Sequence, residues 1–399
     1  MQSVSSTRSI HALLRTGILI VCLVFLAAGS ASPARGESGL PVYPGFGYGA
    51  RIDPWGQEVD LALKTAAGIG LDWIGIDFDW ARHWPNRNAS LDLVELNKVM
   101  VFAAENHLRV LVSITHAPGW ALTPTGPNPE LTAGLVAQLA RLYPDVLLAV
   151  ELFPQANTYS GWGIQPDPEA YTDLLRITAG SLESARRSTV LIAAGLAPID
   201  PQNPGRDMED VQFLQGLYAA GAAQYMSVIG VRLPYSAQDP LDTPWGADPR
   251  VLRRYEAIRK VMLDNQHAEH LIWITGFSWP AFTYSQDGQS VANIASASNS
   301  QTGKQTSWFN QAMQMIKSQL YIGAAFVDCL NPALGASPEK SRSACLIQIQ
   351  DGVPSLHPAY IALSQMVSLA KASPAAAAAP LEKIITPFEP KLFYKSSAP

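Results

Sequence analysis

Short apolar runs return along the chain near positions 45–50, 72–77, 109–114, 146–153, 189–195, 226–231, 270–275 and 322–328, bounded by turn-forming residues. Runs of this kind read as strands. Between them the apolar positions change period. Leu93, Leu96, Met100 and Ala103 share one helical face, with Ser90 placed to cap its start. Asp167-Pro168-Glu169 opens a further helix, with proline in the first turn and acids at the positive end of the helix dipole. Helices that follow strands in this alternation predict an α/β chain closed as a (β/α)8 TIM barrel over roughly residues 40–370.

Two segments carry the candidate chemistry. The fourth strand ends in Val150-Glu151-Leu152-Phe153-Pro154-Gln155-Ala156-Asn157, with Trp162 downstream, and the seventh in Ile272-Trp273-Ile274-Thr275-Gly276-Phe277-Ser278-Trp279. Thr115-His116-Ala117-Pro118-Gly119-Trp120 follows strand three, Ala194-Gly195-Leu196-Ala197-Pro198 comes after strand five, and His357-Pro358-Ala359-Tyr360 precedes the last helix. In order and spacing these segments resemble clan A of the glycoside hydrolases. Relatives there read W-E-I-W-N-E-P-N at strand four and I-W-I-T-E-F-G-W at strand seven. The resemblance implies that Gln155 and Gly276 stand where the family carries its acid/base and nucleophile glutamates. It also aligns Gly75 with a usual arginine of strand two and Arg232 with a usual histidine of strand six.

A retaining glycosidase needs one carboxylic acid to protonate the leaving oxygen and a second carboxylate about 5–5.5 Å away to attack the anomeric carbon. A glutamine amide holds no acidic proton, and losing a general acid typically forfeits about 10²- to 10⁴-fold in rate. Glycine offers no atom to attack with. Relocated carboxylates are the alternative. Asp77 and Asp79 share parity with Gly75 and point toward the barrel mouth if Gly75 faces the lumen. Asp328 ends strand eight, so Asp79 and Asp328 form the fallback catalytic pair. Glu151 has the parity of Gln155 one layer deeper and reads as a buried structural group.

Composition narrows the class. The chain has 399 residues, 48% hydrophobic, which suffices for one large barrel with long loops. Charged residues make up 15% and the formal net charge is −5, which excludes nucleic acid as the natural partner. Arg8 and Arg15, an apolar stretch from Gly17 to Ala28 and the small residues Gly29-Ser30-Ala31 read as a secretory signal over residues 1–31. This predicts a secreted or extracytoplasmic protein; an uncleaved N-terminal membrane anchor is the alternative. Outside that segment remain Cys329 and Cys345, an even number in an exported chain. A disulfide between them contributes about 3 kcal/mol on the chain-entropy model, the other reading being two buried thiols. Residues 371–399 begin Ala- and Pro-rich and read as a linker and tail, and the Ser-, Gln- and Asn-rich stretch Ser285 to Thr306 as a long loop after strand seven.

Aromatic and planar polar side chains at strand ends are the expected saccharide contacts: Trp80, His116, Trp120, Asn157, Trp162, Tyr235 and Trp279. No metal-ligand spacing, phosphate loop or Ser-His-Asp order appears, so no cofactor and no metal is expected. Three functions remain. The first is a non-catalytic barrel binding an oligosaccharide in the former cleft. The second is an active glycosidase using Asp79 and Asp328. The third is an envelope protein that binds a partner through its outer face and tail.

Overall fold

Eight parallel strands close on themselves, each pairing with the next in sequence: β1 (Gly47–Arg51), β2 (Trp73–Asp79), β3 (Arg109–Thr115), β4 (Leu147–Leu152), β5 (Val190–Leu196), β6 (Val228–Leu233), β7 (Leu271–Phe277) and β8 (Ile322–Val327), which returns to β1. This is the (β/α)8 barrel, with strand starts within two residues of those expected. The computed structural model describes residues 45–185, 189–200, 202, 204–233, 239–277, 294–334, 345–350 and 352–372. The signal segment, Tyr235, Trp279 and the tail beyond residue 372 lie outside the described residues. Among the described residues no helix is long and apolar enough to cross a membrane.

One helix follows each strand: α1 (Val59–Ile69), α2 (Val94–Glu105), α3 (Pro129–Leu142), α4 (Pro168–Ser184), α5 (Asp210–Ala219), α6 (Arg254–Asp264), α7 (Ile294–Ser318) and α8 (Ala359–Ala372). Their ends follow local chemistry. Asn128 accepts a hydrogen bond from Leu131 N at the start of α3, and Asp167 from Glu169 N and Ala170 N at the start of α4, each followed by proline. Helix α1 stops at Gly70, whose left-handed φ of 76° turns its N–H back onto the last carbonyls.

Two expectations are corrected. Ser90 does not cap α2; the helix starts after Leu93, and the carboxylate of Asp92 accepts from Val94 N instead. The stretch expected as loop to Thr306 is helical from Ile294 onward. Phe309, Ala312, Met313 and Ile316 bury one face of α7 in the core. Once that face is docked, adding turns toward the N-terminus costs only a few tenths of a kcal/mol per Ser or Asn.

Side chains on alternate positions of the strands fill the lumen. Its lower part is apolar: Trp73, Leu111, Val190, Ile192, Val228, Trp273 and Phe326 form a cluster separate from the main core. The rings of Trp73 and Trp273 meet edge-on at 5.0 Å. Such bulk fits because β1 supplies glycine opposite. A Cβ on Gly47 would stand 2.8 Å from Trp73 Nε1, and one on Gly49 2.5 Å from Phe326 Cδ1. The main core, between barrel and helices, takes the other parity, including Ile74, Ile76, Phe78, Val110 and Val112.

After β8 the chain makes an antiparallel ribbon, Ile347–Gln350 with Val353–Leu356, and Cys329 is bonded to Cys345 at its base, with Cα atoms 4.5 Å apart.

Because ring and glycine are matched across the lumen, Gly49→Ala should destabilise the fold by about 1–3 kcal/mol through overpacking. Combined with Phe326→Leu, the loss should be smaller than the sum of the two single losses, as read from urea denaturation midpoints.

Candidate functional site

The upper layer of the lumen is polar, and strand register brings it to one level: Arg51 lies beside Gly75, Asp77 beside Ser113, and Ser113 beside Glu151. Arg51 is almost fully buried. Its Nη1 donates to Thr275 O at 3.0 Å, and its Nη2 donates to Asp77 Oδ1 at 2.5 Å and Ser113 Oγ at 3.2 Å. From the opposite side Arg232 Nη2 donates to both oxygens of Asp77, at 3.0 and 2.9 Å. The two guanidiniums also flank Asp328, with Oδ1 4.0 Å from Arg51 Nε and 3.9 Å from Arg232 Nη2. Deeper, Glu151 is fully buried and accepts from Ser113 Oγ at 2.5 Å and Thr275 Oγ1 at 2.6 Å. Gly195 and Gly230 leave room for it, since a Cβ on either would fall within 2.8 Å of its Oε1.

Charge settles the protonation of the central carboxylate. Burial pushes the Asp77 carboxyl up, but Arg232 and Arg51 outweigh it and hold it below the usual carboxylate range. Arg232 is affected by burial in the opposite sense and is nonetheless raised, by Asp77, Asp328 and Glu151. Asp77 is therefore an ionised bridge between two cations, unsuited to donate a proton.

Above this layer lies a cavity of about 410 Å³ lined by Asp77, Thr115, His116, Pro154, Gln155, Ser160, Gly161, Arg232 and Asp328. It sits at the carboxyl ends of the strands, where barrel enzymes place their sites. Gln155 follows β4 in a tight turn with φ of 63°, and Phe153 and His116 are left-handed as well, each with φ of 46°. Gln155 N donates to Gly195 O at 2.9 Å, and Thr158 donates from N and Oγ1 to Gln155 O at 2.8 and 2.9 Å. Non-glycine residues held there carry roughly 1–3 kcal/mol of strain each, a pattern that gathers at binding sites.

Position 276 is crowded by neighbouring side chains. A Cβ on Gly276 would lie 2.7 Å from Asp328 Oδ1 and 3.1 Å from Arg232 Nε. Its φ is not positive, so crowding rather than backbone conformation requires glycine. Likewise the space over Gly75 is taken by Arg51, with Nη1 3.1 Å from a built Cβ. The sequence reading missed Arg51, although its parity with Gly47 and Gly49 on β1 places it in the lumen.

Several expected contacts are corrected. Trp80 is fully buried and packs edge-on against Trp120. Trp162 is buried over Gly126, where a Cβ would fall 2.3 Å from its ring, and its Nε1 donates to Thr125 O at 3.0 Å. Asn157 is fully buried, donating to Ala197 O and Met208 O and accepting from Ala197 N. Trp120 is half-buried, donates to Trp84 O at 3.1 Å and lies outside the cavity lining. These four brace loops. Of the fallback pair, Asp328 lines the cavity and Asp79 does not. Asp79 caps the short helix Trp80–His83 through Arg82 N and contacts His116 Nδ1 at 3.1 Å. Asp77 occupies the place expected for it. Among the described residues no group of three or more His, Cys, Asp or Glu is placed to hold a metal ion.

Neither a protein-family model nor any curated protein matches the sequence. The fold is similar to those of solved glycoside hydrolases. A family 39 glycoside hydrolase from the gut symbiont Bacteroides cellulosilyticus WH2 matches with a TM-score of 0.60 at 16% identity, over 82% of this chain. This chain spans 64% of that protein, a little under two thirds. A GH1 beta-glucosidase from Exiguobacterium antarcticum B7 matches at 0.54 and 10% identity, over 82% of this chain and 98% of its own. A GH30 endoxylanase from Clostridium papyrosolvens C71 matches at 0.52 and 11% identity, over 83% of this chain and 73% of its own. At these identities the likeness establishes the barrel fold and not a reaction.

Two outcomes follow from the charges. Glu151→Ala removes the buried carboxylate facing two arginines and should cost about 3–5 kcal/mol in chemical denaturation. The hydrogen bond that its ring donates to Asp79 holds His116 above the ordinary histidine value. Its stabilisation is thus full below the unfolded value, about 6.5, and is lost as pH rises through the higher folded one. An NMR titration should place His116 above 6.5, and Asp79→Asn should bring it down.

Proposed function

We propose that this protein binds a saccharide in the mouth cavity of its barrel and does not cleave it by the two-carboxylate route. The observation that carries the reading is the cavity itself. It is concave, of a size usual for ligand sites, and lined by convergent hydrogen-bonding groups on Gln155, His116, Ser160 and Asp328. The fold neighbours include a beta-glucosidase and an endoxylanase, which points to a carbohydrate as the ligand class. Two left-handed residues, His116 and Gln155, stand at the cavity wall, consistent with side chains held in place for a ligand.

Against cleavage stands the protonation pattern. Glycosidases divide the work between a protonated and an ionised carboxyl group. Asp77 is bridged by two arginines and kept ionised, Gln155 has no acidic proton, and Gly276 has no side chain. Asp79 is committed to His116 and Arg82 N. We further propose that Gln155 and Gly276 occupy the positions of the two family glutamates, and that the protein works outside the cytoplasm. The apolar segment near the N-terminus and the Cys329–Cys345 bond support that location.

Purified protein should show no turnover on a panel of activated aryl glycosides, which need no acid for departure. Hydrolysis abolished by Asp328→Asn would overturn the reading. In calorimetric titration a saccharide should bind, and His116→Ala should weaken it about tenfold or more. Gln155→Gly relieves a left-handed backbone and should raise stability by about 1 kcal/mol while weakening the same saccharide. Unchanged affinity in both variants would remove the cavity from consideration.

A further inference from the structure

Resting on the saccharide reading, we infer that the cavity selects a saccharide bearing a free amine. Two carboxylates, Asp77 and Asp328, stand within ion-pairing distance of two guanidiniums, Arg51 and Arg232. Depth sorts the signs. The side chains of Asp77 and Asp328 are 47% and 25% exposed, whereas those of Arg232 and Arg51 are 11% and 4% exposed. A ligand entering from the mouth meets carboxylate oxygens first.

Those oxygens are not equally engaged. Asp77 accepts three hydrogen bonds from the two arginines. Asp328 accepts none among the described residues, its nearest cations being 3.9 and 4.0 Å away. Its backbone is fixed by Asp328 N donating to Phe277 O at 2.9 Å and by the disulfide of the next residue, Cys329. An under-engaged carboxylate held rigidly at a cavity wall is suited to an ammonium, because a charge-assisted hydrogen bond is about twice as strong as a neutral one. An anionic sugar would meet Arg51 only behind Asp77, and would reach Arg232, which also lines the cavity, only beside the carboxylates of Asp77 and Asp328. His116 at the wall is paired with Asp79 behind it, which offsets its charge when it is protonated.

The test compares β-1,4 trisaccharides of glucosamine, glucose and N-acetylglucosamine, with spermidine as a non-saccharide cation, by calorimetric titration of the full chain at neutral pH. The glucosamine trimer should bind at least tenfold more tightly than the glucose trimer. That margin should shrink as salt rises from 50 to 500 mM, and the two trimers should bind alike in Asp328→Asn. Equal affinity of the wild type for glucosamine and glucose trimers overturns the inference and leaves the saccharide reading intact. Binding of no trimer overturns both. Spermidine binding as tightly as the glucosamine trimer overturns the inference by showing that charge alone is read. If Asp328→Asn does not fold, the salt dependence decides, and a margin unaffected by salt counts against an ammonium–carboxylate contact.

Discussion

The ion bridge Arg51–Asp77–Arg232 is the constraint around which the upper half of the barrel is arranged. Guanidiniums removed from water need acceptors, and strands β2, β3 and β7 supply them through Asp77, Ser113 and Thr275 O, with Glu151 of β4 beneath accepting from the hydroxyls of Ser113 and Thr275. Removing any one partner leaves another charge without compensation, which is far costlier than never having placed the group. The glycines at 75, 195, 230 and 276 follow from the same requirement, since each leaves volume for Arg51, Glu151, Arg232 or Asp328. The bridge also keeps its central carboxylate ionised, and the proposed absence of hydrolysis begins there.

Below that layer the demands are purely steric. Trp73, Trp273 and Phe326 fill the lumen because Gly47, Gly49 and Gly323 leave room for them. The lower lumen is thus an apolar plug capped by a charged layer of side chains, and the cavity lies on top of the cap. Loops above are braced by aromatic groups, Trp80 against Trp120 and Trp162 over Gly126, so that the short helix Tyr159–Trp162 presents Ser160 and Gly161 at the wall.

How much of this was legible in the sequence depended on range. Strand positions were readable because a doubly buried strand announces itself within half a dozen residues, and the start of α4 because Asp167 and Pro168 act locally. The role of Arg51 was not readable, since its partners lie at 77, 113, 275 and 328 and only closure of the barrel unites them. Trp80 and Trp162 were misplaced for a related reason. An aromatic after a strand looks the same whether it faces a ligand or braces a loop, and the distinguishing mark for Trp162 was a glycine 36 positions earlier, at Gly126. The first turns of α7 were hidden by Ser- and Asn-rich composition, which docking of a distant face overrode.

The crowding around Gly276 also bears on how this barrel can change over time. Any side chain placed at that position meets Asp328, just after β8, and Arg232 from β6. A side chain there requires both neighbours to shift, and moving either one disturbs the ion bridge to Asp77. Each single step toward a larger side chain at 276 therefore disturbs the ion bridge first, so the packing works as a gate that holds this position at glycine.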